Sequence, residues 1–195
     1  MLIAVTFAHV TVPIIAGSAA AFSKRVTADC VYCLLTILLG FIALAALPVE
    51  LATGSALSGK LAAAVVVTVI WWALFYSTVH VRDIAAQFAT CGVSMLVAVL
   101  AAASEEVIWR GYFTAVQTPA PGDWLAFAWL VIGFLAIHMY GISVAKFRFL
   151  LLFTAIVVAC TILFGLMTAI IFHVVNNVLI DTLANKQLRG SMPVD

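Results

Sequence analysis

Charge is what this sequence has least of. Nine Lys and Arg with eight Asp and Glu make up 9% of 195 residues, where a water-soluble domain carries roughly a quarter. So few charges cannot wet the surface of a soluble globule of this size. Four cysteines are too few for a disulfide-dense secreted scaffold. There is no basic block and the formal net charge is +1, which excludes nucleic acid as a partner. The same composition excludes disorder. What remains is apolar text, 66% of the chain, in runs of about twenty residues, the length of a membrane span. The chain reads as an integral membrane protein in the lipid bilayer, an all-α polytopic bundle of transmembrane helices.

Charges, prolines and glycines divide the apolar text. Span one covers about 2–22 and stops at Lys24 and Arg25; span two covers about 30–47, ending at Pro48 and Glu50. A Gly/Ser-containing loop to Lys60 leads into span three, about 61–79. In 80–90, Val81, Ile84, Ala85 and Phe88 share one helical face, and Arg82, Asp83 and Gln87 another. That pattern predicts a turn or two of interfacial helix. Span four runs from about Gly92 past Arg110 and stops before Pro119, Pro121 and Gly122. Span five begins around Trp124–Trp129 and ends near Lys146. The 34 residues 147–180 are almost purely hydrophobic. As one helix they would reach roughly 50 Å, too long for a core of about 30 Å. Two spans with a tight turn near Gly165 fit better, followed by a polar tail from Asn185. The expectation is about seven spans (six to eight) in one membrane domain, 1–195, with its motifs in about 92–180.

Seven of the nine basic residues fall in alternate loops and the tail: Lys24, Arg25, Arg82, Lys146, Arg148, Lys186 and Arg189. Lys60 lies opposite and Arg110 inside a span. The positive-inside rule makes the seven-residue side cytoplasmic, with the N-terminus outside and the C-terminus in the cytoplasm. An even span number would break this parity. The membrane is read as the inner or plasma membrane. Ala19–Ala21 look like a signal-peptidase site, but the basic residues follow the apolar run instead of preceding it.

Ionisable residues inside hydrocarbon cost at least about 2.5–3.5 kcal/mol each, so they are functional suspects. Span four holds Glu105, Glu106 and Arg110. Glu106 and Arg110 are spaced for an i,i+4 ion pair. Glu105 points about 100° away with no sequence-local partner, free to accept and release protons. His138 lies in span five, and His173 and Asn177 lie one turn apart in the last span, able to donate jointly to one oxyanion. Asn176 faces elsewhere and reads as a tie between helices. Counting 1.5 Å per residue places all four candidates in one slab of the outer half of the membrane. His9 reads as structural and His80 as solvated at an interface. The spacing of Cys30 and Cys33 suits redox chemistry, but the βαβ context is missing. Cys91, Cys160, Trp71 and Trp72 read as packing residues.

Glu105-Glu106-x-x-x-Arg110, Phe134-x-x-x-His138 and His173-x-x-x-Asn177 follow one another on membrane helices. Together they resemble the three motifs of the CAAX protease and bacteriocin-processing (Abi) family. These are intramembrane endopeptidases that include the Ras-converting CAAX prenyl endopeptidases. The resemblance implies that Glu105 and His138 activate a water and that His173 and Asn177 hold the oxyanion. Glu106 and Arg110, with Phe134, would support the site. Members are often labelled metalloproteases, and the zinc ligands would then be Glu105, His138 and His173. HExxH is missing here, and asparagine is a more natural oxyanion donor than ligand, so the reading is metal-free with zinc as the alternative. The substrate implied is a membrane-anchored or lipidated protein or peptide: a C-terminal sorting tail, a leader peptide or a prenylated CAAX tail. Prenyl proteases of the family carry another span after the last motif, whereas a short tail follows here. With the outer-half placement, this favours a sorting tail or leader. Two rival readings are a non-catalytic bacteriocin-immunity or adaptor protein, and a proton-coupled small transporter using Glu105 and His138 as a relay.

Overall fold

In hydrocarbon a chain must satisfy its own backbone hydrogen bonds, so each apolar run becomes a helix. The computed structural model describes residues 2–22, 27–46, 55–115, 120–139 and 143–190. Among them are seven helices: α1 Leu2–Phe22, α2 Ala28–Ala46, α3 Ser55–Phe75, α4 Val81–Ala115, α5 Pro121–His138, α6 Val144–Phe164 and α7 Leu166–Gly190. All seven are long and apolar enough to cross a membrane. This is an integral membrane protein built as an all-α polytopic bundle.

The bundle holds its ionisable groups within an apolar core and is apolar outside as well. Glu105, Glu106, Arg110, His9, His173 and Asn176 are buried, while Ile14, Phe22, Leu74, Val93, Leu125 and Leu163 are exposed. That arrangement follows from the solvent, since lipid accepts leucine at no cost and rejects a carboxylate. α4 is the central helix, packed most extensively against α2 and α7. α1 backs α2, α3 and α6 flank α7, and α5 touches α1, α4 and α6 more lightly. α2 and α4 cross closely at Gly40, where a Cβ would lie 2.4 Å from the Ser104 Cβ and 2.9 Å from its Cα. Ser104 directly precedes Glu105, so this crossing sets where the carboxylate sits.

The α4 helix is broken at Cys91 (φ −129°, ψ 28°). The break falls where the sequence separates the 80–90 segment from the span proper. α6 and α7 are joined by Gly165 alone, at φ +90°, the tight turn expected there and a conformation that favours glycine.

Three boundaries differ from the sequence reading. α3 begins at Ser55 and ends at Phe75, because the Ser/Gly stretch before Lys60 is helical, not a loop. α5 ends at His138, well short of Lys146. Ser143 caps α6 by accepting from the Lys146 backbone N–H, which draws 144–146 into the next helix. α7 continues to Gly190, past the expected tail at Asn185. Lys186 Nζ anchors it, 2.7 Å from the Thr78 carbonyl and 2.9 Å from Asp83 Oδ2. Lys24, Arg25, Pro48, Glu50 and Pro119, named above as loop markers, lie outside the described residues, as do 191–195 and the side chain of Arg189.

Lys60, Phe113, Thr114, Trp124, Phe164 and Gly165 line a cavity of about 930 Å³. The start of α3, the end of α4, the start of α5 and the α6–α7 turn therefore share one end of the bundle. The Lys186 contacts join the end of α7 to the α3–α4 connection at the other. This is the alternation that the spacing of the basic residues predicts.

Candidate active site

The site is built outward from two adjacent glutamates on α4. Glu106 is fully buried, and its Oε1 accepts from Arg110 NH1 at 3.1 Å and from His173 Nδ1 at 2.5 Å. The Arg110 guanidinium carbon sits 3.7 Å above the Phe134 ring centroid, so the aromatic face takes up the side of the cation that Glu106 does not. Phe134 also packs against both histidine rings, with centroids 4.4 Å from His138 and 6.1 Å from His173.

Glu105 turns to a different set of partners. Its Oε1 accepts from the Tyr32 hydroxyl at 2.7 Å. Its Oε2 lies 3.7 Å from His138 Nε2 and 3.7 Å from His173 Nε2. The outer nitrogens of both rings are already engaged. His138 Nδ1 is 2.9 Å from the Phe134 carbonyl, which only accepts, so Nδ1 carries the hydrogen. His173 Nδ1 likewise donates to Glu106. In a neutral ring each Nε2 then presents a lone pair to the carboxylate. Two acceptors cannot bond each other directly, but one water about 2.8 Å from each can donate to both.

Glu105 Oε2, Glu106 Oε2 and Arg110 NH2 are buried without a hydrogen-bond partner among the described residues. Two carboxylates against one guanidinium leave one negative charge in a low-dielectric site. One proton placed on Glu105 or on either imidazole would neutralise it.

The three groups differ in exposure. Glu105 and His173 are buried, whereas the His138 side chain is 30% exposed. His138 is the last residue of α5, about 26 Å along the helix from Pro121, while His173 lies about 10 Å from the start of α7. Glu105 is about 15 Å before the end of α4. His138, the most exposed member, is therefore the one nearest the end of the bundle where α6 begins, opposite Lys60. The 930 Å³ cavity contains none of the three, and a cavity in the α5–α6 seam is lined by apolar residues and Thr154. Cavity size is a poorer guide here than the convergence of ionisable groups.

Glu105, Glu106, Arg110, Phe134, His138 and His173 lie together in one cluster. Asn177 is half-buried one turn beyond His173, and its amide oxygen accepts from Asn176 at 3.5 Å, so its contact is with its neighbour and not with the trio. Asn176 ties α7 to α3, accepting from Trp71 Nε1 at 2.8 Å and the Tyr76 hydroxyl at 3.2 Å. His9 joins α1 to α2 and α4 through Thr36 and Trp109. Cys30, Cys33, Cys91 and Cys160 are unpaired. Tyr32 was missed because the two flanking cysteines drew the reading. The signal for it was general: a phenol inside a span needs an acceptor.

The donor set is also the one a zinc ion would meet: two imidazole Nε2 atoms and a carboxylate oxygen, with both Nδ1 atoms held from outside. The spacing is too wide. Ligands 2.0–2.1 Å from a tetrahedral zinc stand about 3.3 Å apart, against 3.7 Å from Oε2 to each nitrogen. Among the described residues no group of three or more His, Cys, Asp or Glu could hold a metal ion.

The motif resemblance is borne out. The family model described as Type II CAAX prenyl endopeptidase Rce1-like matches residues 87–179, which hold all three motifs and a little under half of the chain. No curated protein and no solved structure matches.

Proposed function

With a match to CAAX prenyl endopeptidases over the motif-bearing segment as premise, we propose that this protein is a metal-free intramembrane endopeptidase acting on a peptide bond beside a lipid anchor. The observation that carries the reading is the equal 3.7 Å spacing of Glu105 Oε2 from His138 Nε2 and His173 Nε2.

A water between Glu105 and His138 donates to both and loses a proton to this pair as its oxygen attacks the scissile carbonyl. The tetrahedral oxyanion accepts from His173 Nε2–H, the cationic ring donating its other hydrogen to Glu106, and from Asn177 Nδ2–H. The C–N bond then breaks, and the proton held by Glu105 and His138 leaves on the amine. Glu106 and Arg110 keep the His173 ring oriented, and Phe134 packs the guanidinium and both imidazoles into one layer.

His138 lies nearest the end of the bundle that carries Lys186 and Arg82. By the positive-inside rule this is the cytoplasmic end, with the N-terminus outside and the C-terminus in the cytoplasm of an inner or plasma membrane. A lipidated tail presented from the cytoplasm reaches His138 more directly than a sorting tail or leader cut near the outer leaflet.

The test uses the protein in proteoliposomes with a fluorogenic, farnesylated peptide ending in a CAAX tetrapeptide. Glu105→Ala, His138→Ala and His173→Ala are expected to lower kcat by about a hundredfold or more, with no effect of chelator on the wild type. Full activity in Glu105→Ala overturns the reading. Chelator inhibition reversed by zinc replaces the metal-free mechanism. Solute flux without cleavage returns the transporter reading.

A further inference from the structure

We infer that His9, Thr36 and Tyr32 are positioning residues for the proposed reaction, linked in a one-way chain of hydrogen bonds that fixes the Glu105 carboxylate. All three lie outside the segment that matches the peptidase family. The inference rests on the reading of Glu105 as the group that activates water.

The direction of every bond follows from one donor that cannot accept. The indole N–H of Trp109 donates to His9 Nδ1 at 2.9 Å, so the neutral His9 ring carries its hydrogen on Nε2. That nitrogen lies 2.9 Å from Thr36 Oγ1 and donates to it. Thr36, having accepted, keeps its own hydroxyl hydrogen to pass on, and Tyr32 stands one turn earlier on α2, on the same helix face, as the acceptor the inference assigns to it. The Tyr32 hydroxyl donates to Glu105 Oε1 at 2.7 Å. The chain starts and ends on α4, at residues one turn apart, after passing through α1 and α2.

Such a loop acts on the site in two ways. A carboxylate with one oxygen held by a phenol cannot spin about its last torsion, so Oε2 stays turned to the two imidazoles. A row of aligned donors also strengthens the final bond, because each hydroxyl that accepts becomes the better donor. Burial points the same way. His9 and Thr36 are both fully buried, and polar groups at such depth are retained when each has a partner. A purely structural tie between α1 and α2 would need His9 and Thr36 but not a phenol reaching the catalytic carboxylate.

Tyr32→Phe removes the donor and keeps the ring, and Thr36→Val cuts the chain one step earlier at nearly constant volume. The expected result on the farnesylated probe peptide is a fall in kcat of about ten- to a hundredfold for Tyr32→Phe, a smaller fall for Thr36→Val, and KM changed by less than about twofold. A second readout needs no substrate. The infrared carboxylate band of Glu105, assigned by its loss in Glu105→Gln, is expected to shift in Tyr32→Phe. An unmoved band, or an unchanged kcat in Tyr32→Phe while Glu105→Gln is inactive, overturns the inference and leaves the peptidase reading standing. Cleavage by Glu105→Gln at the wild-type rate overturns the peptidase reading itself. If Tyr32→Phe fails to fold, the same band in Thr36→Val decides.

Discussion

Replacing Arg110 by methionine leaves Glu106 inside the bundle with His173 as its only strong partner. At 3.1 Å and an effective dielectric of about 20, the pair attracts by roughly 5 kcal/mol. The Phe134 face, 3.7 Å from the guanidinium carbon, adds about 1–2 kcal/mol. Against this stands the desolvation that the methionine no longer suffers. Truncating one member of a buried pair costs about 3–5 kcal/mol. His173 remains on Glu106, so the lower end, about 3 kcal/mol, is expected for Arg110→Met. The assay is reversible unfolding in bicelles or mixed micelles, with Arg110→Met, Glu106→Gln and the double variant in one cycle. Removing both charges strands neither, so the double variant is expected to be more stable than Arg110→Met by at least about 1 kcal/mol. A loss below about 1 kcal/mol in Arg110→Met, or strict additivity in the double variant, refutes the argument that charge holds Glu106 in place.

Two glycines give further checks. Gly40→Ala puts a methyl against the Ser104 backbone and is expected to cost about 1–3 kcal/mol and to lower activity by moving Glu105. Gly17→Ala, with nothing within 4 Å of the new Cβ, is the control, and equal thermal midpoints for the two would contradict the close crossing of α2 and α4. Gly165→Ala forces a side chain into φ +90° and is expected to lose about 1–3 kcal/mol, read by the same unfolding titration.

The order and number of helices were legible because hydropathy marks spans directly and the basic residues mark alternate ends. The end of α5 was not. The apolar text continues through Met139 and Tyr140, and only the capping by Ser143 shows that a new helix has begun. The Glu106–Arg110 pair is a spacing effect within one helix and could be read from five residues. The His173 contact to Glu106 spans 67 positions, and that of Tyr32 to Glu105 spans 73. No periodicity carries such information. The motif resemblance gave His173 a part in holding the oxyanion, and said nothing of its contact with the second glutamate. Tyr32 belongs to no motif in the match, so packing alone reveals it.

The burial of two glutamates side by side on α4 has a consequence for how the chain is made. On insertion scales Glu105, Glu106 and Arg110 each penalise a lone helix by a few kcal/mol, and α4 leaves the ribosome before α5, α6 and α7 exist. Glu105 finds Tyr32 waiting, since α2 is already in the membrane. Glu106 must wait for His173, which is translated 67 residues later. The fourth helix is therefore a half-satisfied intermediate during synthesis, retained at the insertion machinery or sheltered by α1 and α2 until the seventh helix arrives to close the bundle.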